Sequence, residues 1–334
     1  MRMRVERERW RLREPFHITG TVMEELDVVV VELSVDGHCG RGEAAGVDYR
    51  VDDRIEHMLG QLHAIHGRVE SGIDRTALQS LLPPGGARNA LDCALWELDA
   101  RRTGQAVWQL AGLKPPRPLL TTYTIGANDP SAMAATATRF AHARAIKLKL
   151  TGEACDAERV RSVRAVRPDV WLGVDANQGF TRAHFDALLP MLIQTRVCLI
   201  EQPFRVGLEP RLSELNSPIP IAADESIQGL ADLQGAADRF NVINIKLDKC
   251  GGLTEGLAMA KLARELQLGI MVGNMVGTSL AMAPAFVLGQ LCDVVDLDGP
   301  ILLAADRAQT VEYANGEIWC AANVWGGPDS SPAA

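Results

Sequence analysis

The sequence predicts an α/β protein in two parts, an N-terminal α+β region followed by a larger barrel of repeated βα units. Three observations carry this expectation. From Leu119 onward, short apolar strands alternate eight times with helical segments. Before about residue 115 the pattern is instead a hairpin followed by helices. Between the two regimes, Pro115, Pro116 and Pro118 interrupt the chain and mark a boundary.

In the first part, Leu26–Val35 (LDVVVVELSV) is dense in valine and reads as a strand. Asp36-Gly37 is a hairpin-type turn, and His38–Glu43 is the return strand. The spacing over Arg54–Val69 and Ala87–Ala100 suits amphipathic helices, with Ala90, Ala94, Leu95 and Leu98 as one apolar stripe. In the second part the strand candidates are Leu119–Ile125, Ala145–Leu150, Trp171–Asp175, Cys198–Glu201, Ile221–Ala223, Val242–Lys246, Gly269–Val272 and Val294–Asp298. Segments between them, such as Asp156–Arg167 and Leu253–Leu266, have helical periodicity. So many βα units in so short a stretch suggest a compact (β/α)₈-type barrel. A doubly wound sheet is the runner-up, but no Gly-rich dinucleotide fingerprint follows any strand.

Composition narrows the function classes. With 47% hydrophobic and 23% charged residues, the chain reads as a soluble globular protein. A formal net charge of −8 gives no reason to expect nucleic acid or anionic lipid as a partner. The N-terminal MRMRVERERW has no apolar core, so it does not read as a secretory signal, and Val28–Val31 is too short to span a bilayer. A cytoplasmic protein is expected. Seven cysteines, at 39, 93, 155, 198, 250, 292 and 320, form no CxxC pair and read as reduced thiols rather than disulfides or a zinc site.

The informative residues are charged ones at strand ends. Lys149 ends the second barrel strand (AIKLKL), Asp175 the third (WLGVDAN) and Glu201 the fourth (CLIEQP). Asp224 follows the fifth (IAADES), and Lys246 ends the sixth (VINIKLDK). Successive gaps of 26, 26, 23 and 22 residues are one βα unit each, so all five fall on the C-terminal rim, where active sites of such barrels are built. Any one of them alone reads as a surface charge; five in register do not. Three carboxylates on adjacent strands would repel one another without a cation. Oxygen ligands with no His or Cys nearby point to a hard ion, magnesium first, which as a Lewis acid can stabilise a developing enolate.

Lys149 lies one strand before the three carboxylates and Lys246 one strand after. A substrate carboxylate on the metal would be flanked by ammonium groups from both sides. One lysine then takes the α-proton and the other returns a proton to the opposite face, the geometry for racemisation or epimerisation. A lysine base needs its pKa lowered from about 10.4 toward roughly 7–8. Lys147, two residues before Lys149, projects from the same strand face. Two readings of it stay open: a like charge that pushes the proton off Lys149, or a structural ion-pair partner.

These residues resemble the muconate-lactonising branch of the enolase superfamily. The resemblance runs over nearly the whole chain and rests on KLK at 147–149, DAN at 175–177, EQP at 201–203, ADES at 223–226 and KLDKCGG at 246–252. A lysine base paired with magnesium belongs to that superfamily's general chemistry and is not deduced from the spacing. The resemblance implies that Asp175, Glu201 and Asp224 bind Mg²⁺, one per subunit, and that Lys149 and Lys246 are the acid/base pair. Asn177 and Glu225 become supporting residues beside the metal, and Lys249 a structural one. The implied fold is a modified TIM barrel, (β/α)₇β, over residues 116–302. An α+β capping domain from residues 1–115 covers it, joined by a returning C-terminal segment, 303–334. No histidine falls at a barrel strand end, which argues against the branch that uses a histidine base.

Asp296 and Asp298, in VVDLDGP, stand at i and i+2 on the eighth strand and should point the same way. Two carboxylates that the metal does not need invite a cationic group. They resemble the DxD motif of dipeptide epimerases, whose aspartates hold the substrate ammonium. The alternative is that they pair with a neighbouring Lys or Arg. Thr124 and Lys147 are further substrate-side candidates. Two segments depart from the pattern. Relatives acting on Ala-Glu carry an arginine in the first capping loop, whereas His17–Glu25 reads HITGTVMEE, and Val22 and Met23 suggest a less polar second side chain. VGNMVGTS, from Val272 to Ser279, lacks the Glu-Ser expected after the seventh strand. The expected enzyme is an isomerase acting on a small molecule, a dipeptide epimerase. An N-acylamino-acid racemase, a muconate cycloisomerase, an o-succinylbenzoate synthase and a non-catalytic binding protein on the same scaffold are the alternatives. Further copies of the chain are an open option as partners.

Overall fold

The computed structural model describes residues 1–18, 21–47 and 54–328. Thr19 and Gly20 of the HITGTVMEE segment, and the last six residues of the C-terminal segment, lie outside the described residues. The chain opens with three antiparallel strands in the order β1 (Arg2–Ile18), β2 (Thr21–Val35) and β3 (His38–Ala45). β1 does not follow from apolar patterning, because charged side chains fill most of its positions; its ladder to β2 holds it, with a register shift between Arg11 and Phe16. Four helices follow: α1 (Ile55–Glu70), α2 (Arg75–Leu81), α3 (Gly86–Thr103) and α4 (Val107–Leu110). α3 buries all four residues of the expected stripe and lies against β3. Glycine makes that approach possible: a Cβ at Gly40 or Gly42 would meet the carbonyl oxygens of Ala94 or Ala90 at 2.1 and 2.0 Å.

The second part alternates as expected. Its elements are β4 (Leu119–Leu120), β5 (Thr122–Ile125), α5 (Pro130–Arg139), β6 (Ala145–Lys149), α6 (Asp156–Val166), β7 (Trp171–Asp175), α7 (Arg182–Gln194), β8 (Leu199–Glu201), α8 (Leu212–Leu215) and β9 (Ile221–Ala223). There follow β10 (Val242–Ile245), α9 (Leu247–Cys250), α10 (Leu253–Glu265), β11 (Gly269–Val272), α11 (Ser279–Gly289), β12 (Val294–Val295), α12 (Gly299–Leu302), β13 (Glu312–Ala314) and β14 (Glu317–Trp319). Strands β5 to β12 form one eight-stranded sheet in sequence order, each paired parallel with the next. The (β/α) barrel with an antiparallel capping sheet is therefore the fold. The seam between β5 and β12 is bridged by side chains: Leu297 N–H donates to Thr121 Oγ1 (2.9 Å) and Thr124 N–H to Asp298 Oδ2 (2.6 Å).

Two strand expectations need correction. Leu119–Ile125 is two strands, because β4 leaves the barrel to pair antiparallel with β14. The eighth strand stops at Val295, so Asp296 lies just past it and Asp298 immediately precedes α12. We propose the division 1–115, 116–302 and 303–334. In its support, the C-terminal segment reaches back to the first part: Trp325 Nε1–H donates to Arg41 O (2.8 Å), and Val107 N–H to Gly326 O (2.8 Å). All seven cysteines are free thiols. Among the described residues no helix is long and apolar enough to cross a membrane.

Candidate active site

Parallel pairing brings the rim residues together. Lys149 is the cross-strand partner of Asp175, and Asp175 that of Glu201. Because side chains alternate along a strand, residues in register point to the same face, here the barrel interior. Asp224 follows β9 and Lys246 follows β10, which completes the arc. Oxygens of Asp175, Glu201 and Asp224 all lie within 4.8 Å of one another, and all three residues are buried. Loops turn sharply beyond them: Asn177 (φ 40°), Gln178 (φ 67°) and Gln202 (φ 34°) adopt left-handed backbone, which non-glycine residues hold only where the surroundings enforce it. Gln202 Oε1 repays that by accepting from the backbone N–H of Asp224 (2.9 Å) and Ser226 (3.1 Å).

Ammonium groups interleave with the carboxylates. Lys149 Nζ donates to Asp175 Oδ2 at 2.5 Å and Lys246 Nζ to Asp224 Oδ2 at 2.7 Å. Lys249 Nζ reaches Asp224 Oδ1, also at 2.5 Å. Lys147 Nζ donates to Asp296 and lies 3.3 Å from Glu201 Oε2. Burial alone would lower the Lys147 pKa, but Asp296, Glu201 and Asp175 outweigh it and hold it well above the ordinary lysine value. Of the two readings of Lys147, the ion-pair partner is the one this geometry supports. Burial alone would push Asp224 up, and Lys246 and Lys249 more than reverse it, holding the carboxylate below its usual range. Glu201, buried and beside Asp175, is pushed up to about 7.

The aspartate pair divides. Asp296 accepts from Lys147 and Thr122, the neighbouring-cation alternative, and its pKa stays below the ordinary value because Lys147 overcomes burial. Asp298 accepts from Thr124 N–H and, buried beside Asp296, is pushed up to about 6. Both line a cavity of about 460 Å³ together with Thr124, Lys147, Lys149, Lys246, Asn177 and Glu225, so the expected site residues other than Asp175 and Glu201 share one chamber. Those two lie beneath it, fully buried. The apolar part of the lining includes Phe16, Met23, Leu26, Met275, Val276 and Leu302.

The residues fit a hard divalent cation. The donors are all oxygen. Beside them Asn177 Oδ1 and Glu225 Oε2 are buried with no hydrogen-bond partner, as acceptors around a hydrated ion would be without its waters. Six carboxylates (Asp175, Glu201, Asp224, Glu225, Asp296 and Asp298) face four ammonium groups (Lys147, Lys149, Lys246 and Lys249), a surplus of negative charge that one such ion balances.

Sequence reasoning missed three supports. Asn244 Nδ2–H donates to Glu201 Oε1 at 2.6 Å; as a polar residue in a buried strand, two before Lys246, it carried a legible signal. Asp248 Oδ1 accepts from Ala45 N–H (3.0 Å), tying the Lys246 turn to the cap. Glu43, on β3, accepts from Thr278 N–H (2.8 Å) and Arg307 (2.7 Å), and no local pattern announces partners so distant in the chain.

Comparison with known proteins is consistent across the chain. Residues 1–112 match the mandelate racemase / muconate lactonizing enzyme N-terminal domain, and residues 132–319 the enolase C-terminal domain-like family. The chain is 37% identical over 318 residues to the L-Ala-D/L-Glu epimerase of Escherichia coli, covering 95% of this chain and 98% of that one. It is 35% identical to an N-acetyl-D-glutamate racemase of Pseudoalteromonas sp, covering 87% and 93%. Among solved structures, an enolase family member from Agrobacterium tumefaciens with homology to dipeptide epimerases, with bound sodium and L-Ala-L-Glu, has a TM-score of 0.93 at 39% identity, covering 97% and 99%. A dipeptide epimerase from Methylococcus capsulatus complexed with Mg and L-Arg-D-Lys has a TM-score of 0.86 at 28% identity, covering 96% of each chain.

Proposed function

This chain belongs to the mandelate racemase / muconate lactonizing enzyme family of the enolase superfamily and is an isomerase of the racemase and epimerase kind, and we propose that its substrate is a dipeptide. Its cofactor is Mg²⁺, and we assign Asp175, Glu201 and Asp224 as the ligands. When bound, the ion offsets the charge that develops on the substrate carboxylate as the α-proton leaves. Lys149 and Lys246 stand on the two sides of that carboxylate cluster, one removing the α-proton and the other delivering a proton to the opposite face. Asn177 would steady the ion's ligands, its N–H donating to Asp175 Oδ1 (2.9 Å) and its side chain to Glu225 (3.3 Å). Asp298 receives the substrate ammonium, while Lys147, Asp296 and Thr124 hold the floor and side of that subsite.

The observation that carries the reading is that Asp298 lines one chamber with the two lysines. A carboxylate pushed up to about 6 by burial and by Asp296 gains most from a cation. The test is incubation in deuterated water with a dipeptide library and Mg²⁺, read by mass spectrometry. Incorporation at the C-terminal α-carbon, abolished by chelation and restored by Mg²⁺, supports the assignment; full exchange after thorough chelation overturns it. A second reading, N-acylamino-acid racemisation, is favoured by one observation: Asp296 is already committed to Lys147, which leaves a single aspartate for an ammonium. Preference for N-acetylated compounds over free dipeptides would make it the better reading.

A further inference from the structure

A second cavity, of about 170 Å³, lies beside the chamber and is assigned no role by the chemistry above. The two share Phe16, Thr124 and Leu302, so these three side chains form the wall between them. Behind the wall the lining is mainly apolar, with Ile125, Ala132, Met133 and Phe140 from β5 and α5. Its outer edge is charged: Arg139 and Glu14 pair there at 3.3 Å with both side chains more than half exposed. Phe16 belongs to the end of β1, opposite Met23 on β2, and its ring rests over Gly126, where a Cβ would stand 3.4 Å from Phe16 Cδ2.

This inference rests on the dipeptide reading. Asp298, which that reading gives to the ammonium, accepts from Thr124 N–H at 2.6 Å. The N-terminal α-carbon is one bond from the ammonium nitrogen, so it sits beside Thr124, on the chamber side of the wall. The second residue's side chain branches from the carbon held between the lysines, far from that point. The first residue's side chain therefore meets Phe16 and Leu302. We propose that Phe16, backed by Leu302, limits the N-terminal residue of the dipeptide to a small side chain, and that the cavity behind it admits a larger apolar one when the ring is removed.

Four probes test this with the Mg²⁺-loaded protein: L-Ala-L-Glu against L-Leu-L-Glu, and L-Ala-L-Leu against L-Leu-L-Leu. The readout is kcat/KM for deuterium incorporation at the C-terminal α-carbon, taken as the Leu-to-Ala ratio within each pair. A ratio cancels any general loss caused by trimming the wall. The wild type should favour the alanine member by about tenfold, the discrimination a few methylenes in an apolar site provide. Phe16→Ala should raise the ratio about tenfold, and Leu302→Ala, from the other side of the wall, should move it the same way. Adding Ala132→Leu to Phe16→Ala refills the second cavity and should return the ratio toward the wild-type value. An unchanged ratio in both wall variants overturns the inference, as does a wild type that prefers the leucine members or a gain that survives Ala132→Leu. Absence of exchange with all four probes in the wild type overturns the dipeptide reading itself.

Discussion

The two walls of the chamber are built on different principles. The rim wall carries its charges on the ends of paired strands, where ladder hydrogen bonds set each Cα and buried counter-ions set each side chain. The second wall comes from the β1/β2 hairpin, the loop after β11 and the short α12, and it supplies the apolar side chains Phe16, Met23, Leu26, Met275, Val276 and Leu302. Displacing a rim group by a bond length costs both its ion pair and its register. Reshaping the second wall costs packing alone. The proposed function accordingly puts the chemistry that must be placed to fractions of an ångström on the first wall, and selection among substrates on the second.

The widest separation between the walls comes from the lysines. Lys149→Ala and Lys246→Ala should each lower epimerisation by about 10³-fold, the scale of a lost general acid or base. Each variant should still exchange the α-proton of the one stereoisomer that faces its remaining lysine. Deuterium incorporation measured separately for the two isomers decides the matter. Equal exchange of both by either variant breaks the two-face arrangement and, with it, the claim that this wall is the chemical one.

Next in size is a carboxylate outside the chamber that shows what the rim would be without its lysines. Asp92, on α3, accepts from Thr254 N–H (2.9 Å) and Gln79 (3.1 Å) and is fully buried. Burial pushes it up to about 6, and the hydrogen bonds from Thr254, then Arg75 and Arg88, only partly offset that, whereas Lys246 and Lys249 bring Asp224 down. The folded pKa of Asp92 lies above its unfolded value of 3.8, so the folded state holds the proton more tightly. Its contribution to stability is complete below about pH 4 and is lost as pH rises through 6. Asp92→Asn cannot lose it, and its amide oxygen can still accept from Thr254 N–H. The variant should gain about 2–3 kcal/mol over the wild type between pH 4 and pH 7, read from urea unfolding across that range. A difference that does not change with pH counts against buried charge as the cause.

How much of this could be read from the chain follows the same division. Lys149, Asp175, Glu201, Asp224 and Lys246 were legible because a charge at the end of an apolar strand is anomalous and recurs once per βα unit. β1 was not, since ladder bonding with β2 leaves no apolar alternation to detect in a charged segment. The break at Thr121 was hidden because the pairing partner of β4 is β14, almost 200 residues away. Asp298 was found, but its separation from Asp296 depends on Lys147 reaching across the barrel interior. Phe16 and Leu302 become neighbours only through tertiary packing.

A smaller effect tests where the walls meet the substrate. Asp298→Asn keeps the shape of the subsite and removes its charge. The loss for L-Ala-L-Leu should be about tenfold in kcat/KM, the difference between a charge-assisted and a neutral hydrogen bond. N-acetylation of the dipeptide should harm the wild type far more than this variant, because the variant has already lost the partner of the cation. Equal harm to both places the ammonium elsewhere.

The smallest effect on catalysis concerns the joint between the walls. Glu43, on β3 just before the chamber-lining Ala45, is bound by Thr278, just after the chamber-lining Met275 and Val276. Arg307 closes the joint by bridging Glu43 and Glu8. Thr278 also starts α11, its Oγ1 accepting from Leu280 N–H at 3.2 Å. Thr278→Val keeps the backbone bond to Glu43 and removes a hydroxyl that also donates to the Glu43 carboxylate and accepts from Arg307 Nε (2.6 Å), so about 2–3 kcal/mol of stability should go. If the joint only holds the fold together, kcat and KM should both survive at temperatures where the variant is folded. If it sets the spacing of the apolar wall against the rim, KM should rise several-fold while the exchange rate at saturating substrate stays near the wild-type value, since the lysines are untouched. Thr278→Ser restores the hydroxyl and should restore KM. A variant whose kcat falls with KM unchanged would mean that the joint reaches the rim, and the independence of the two walls would have to be abandoned.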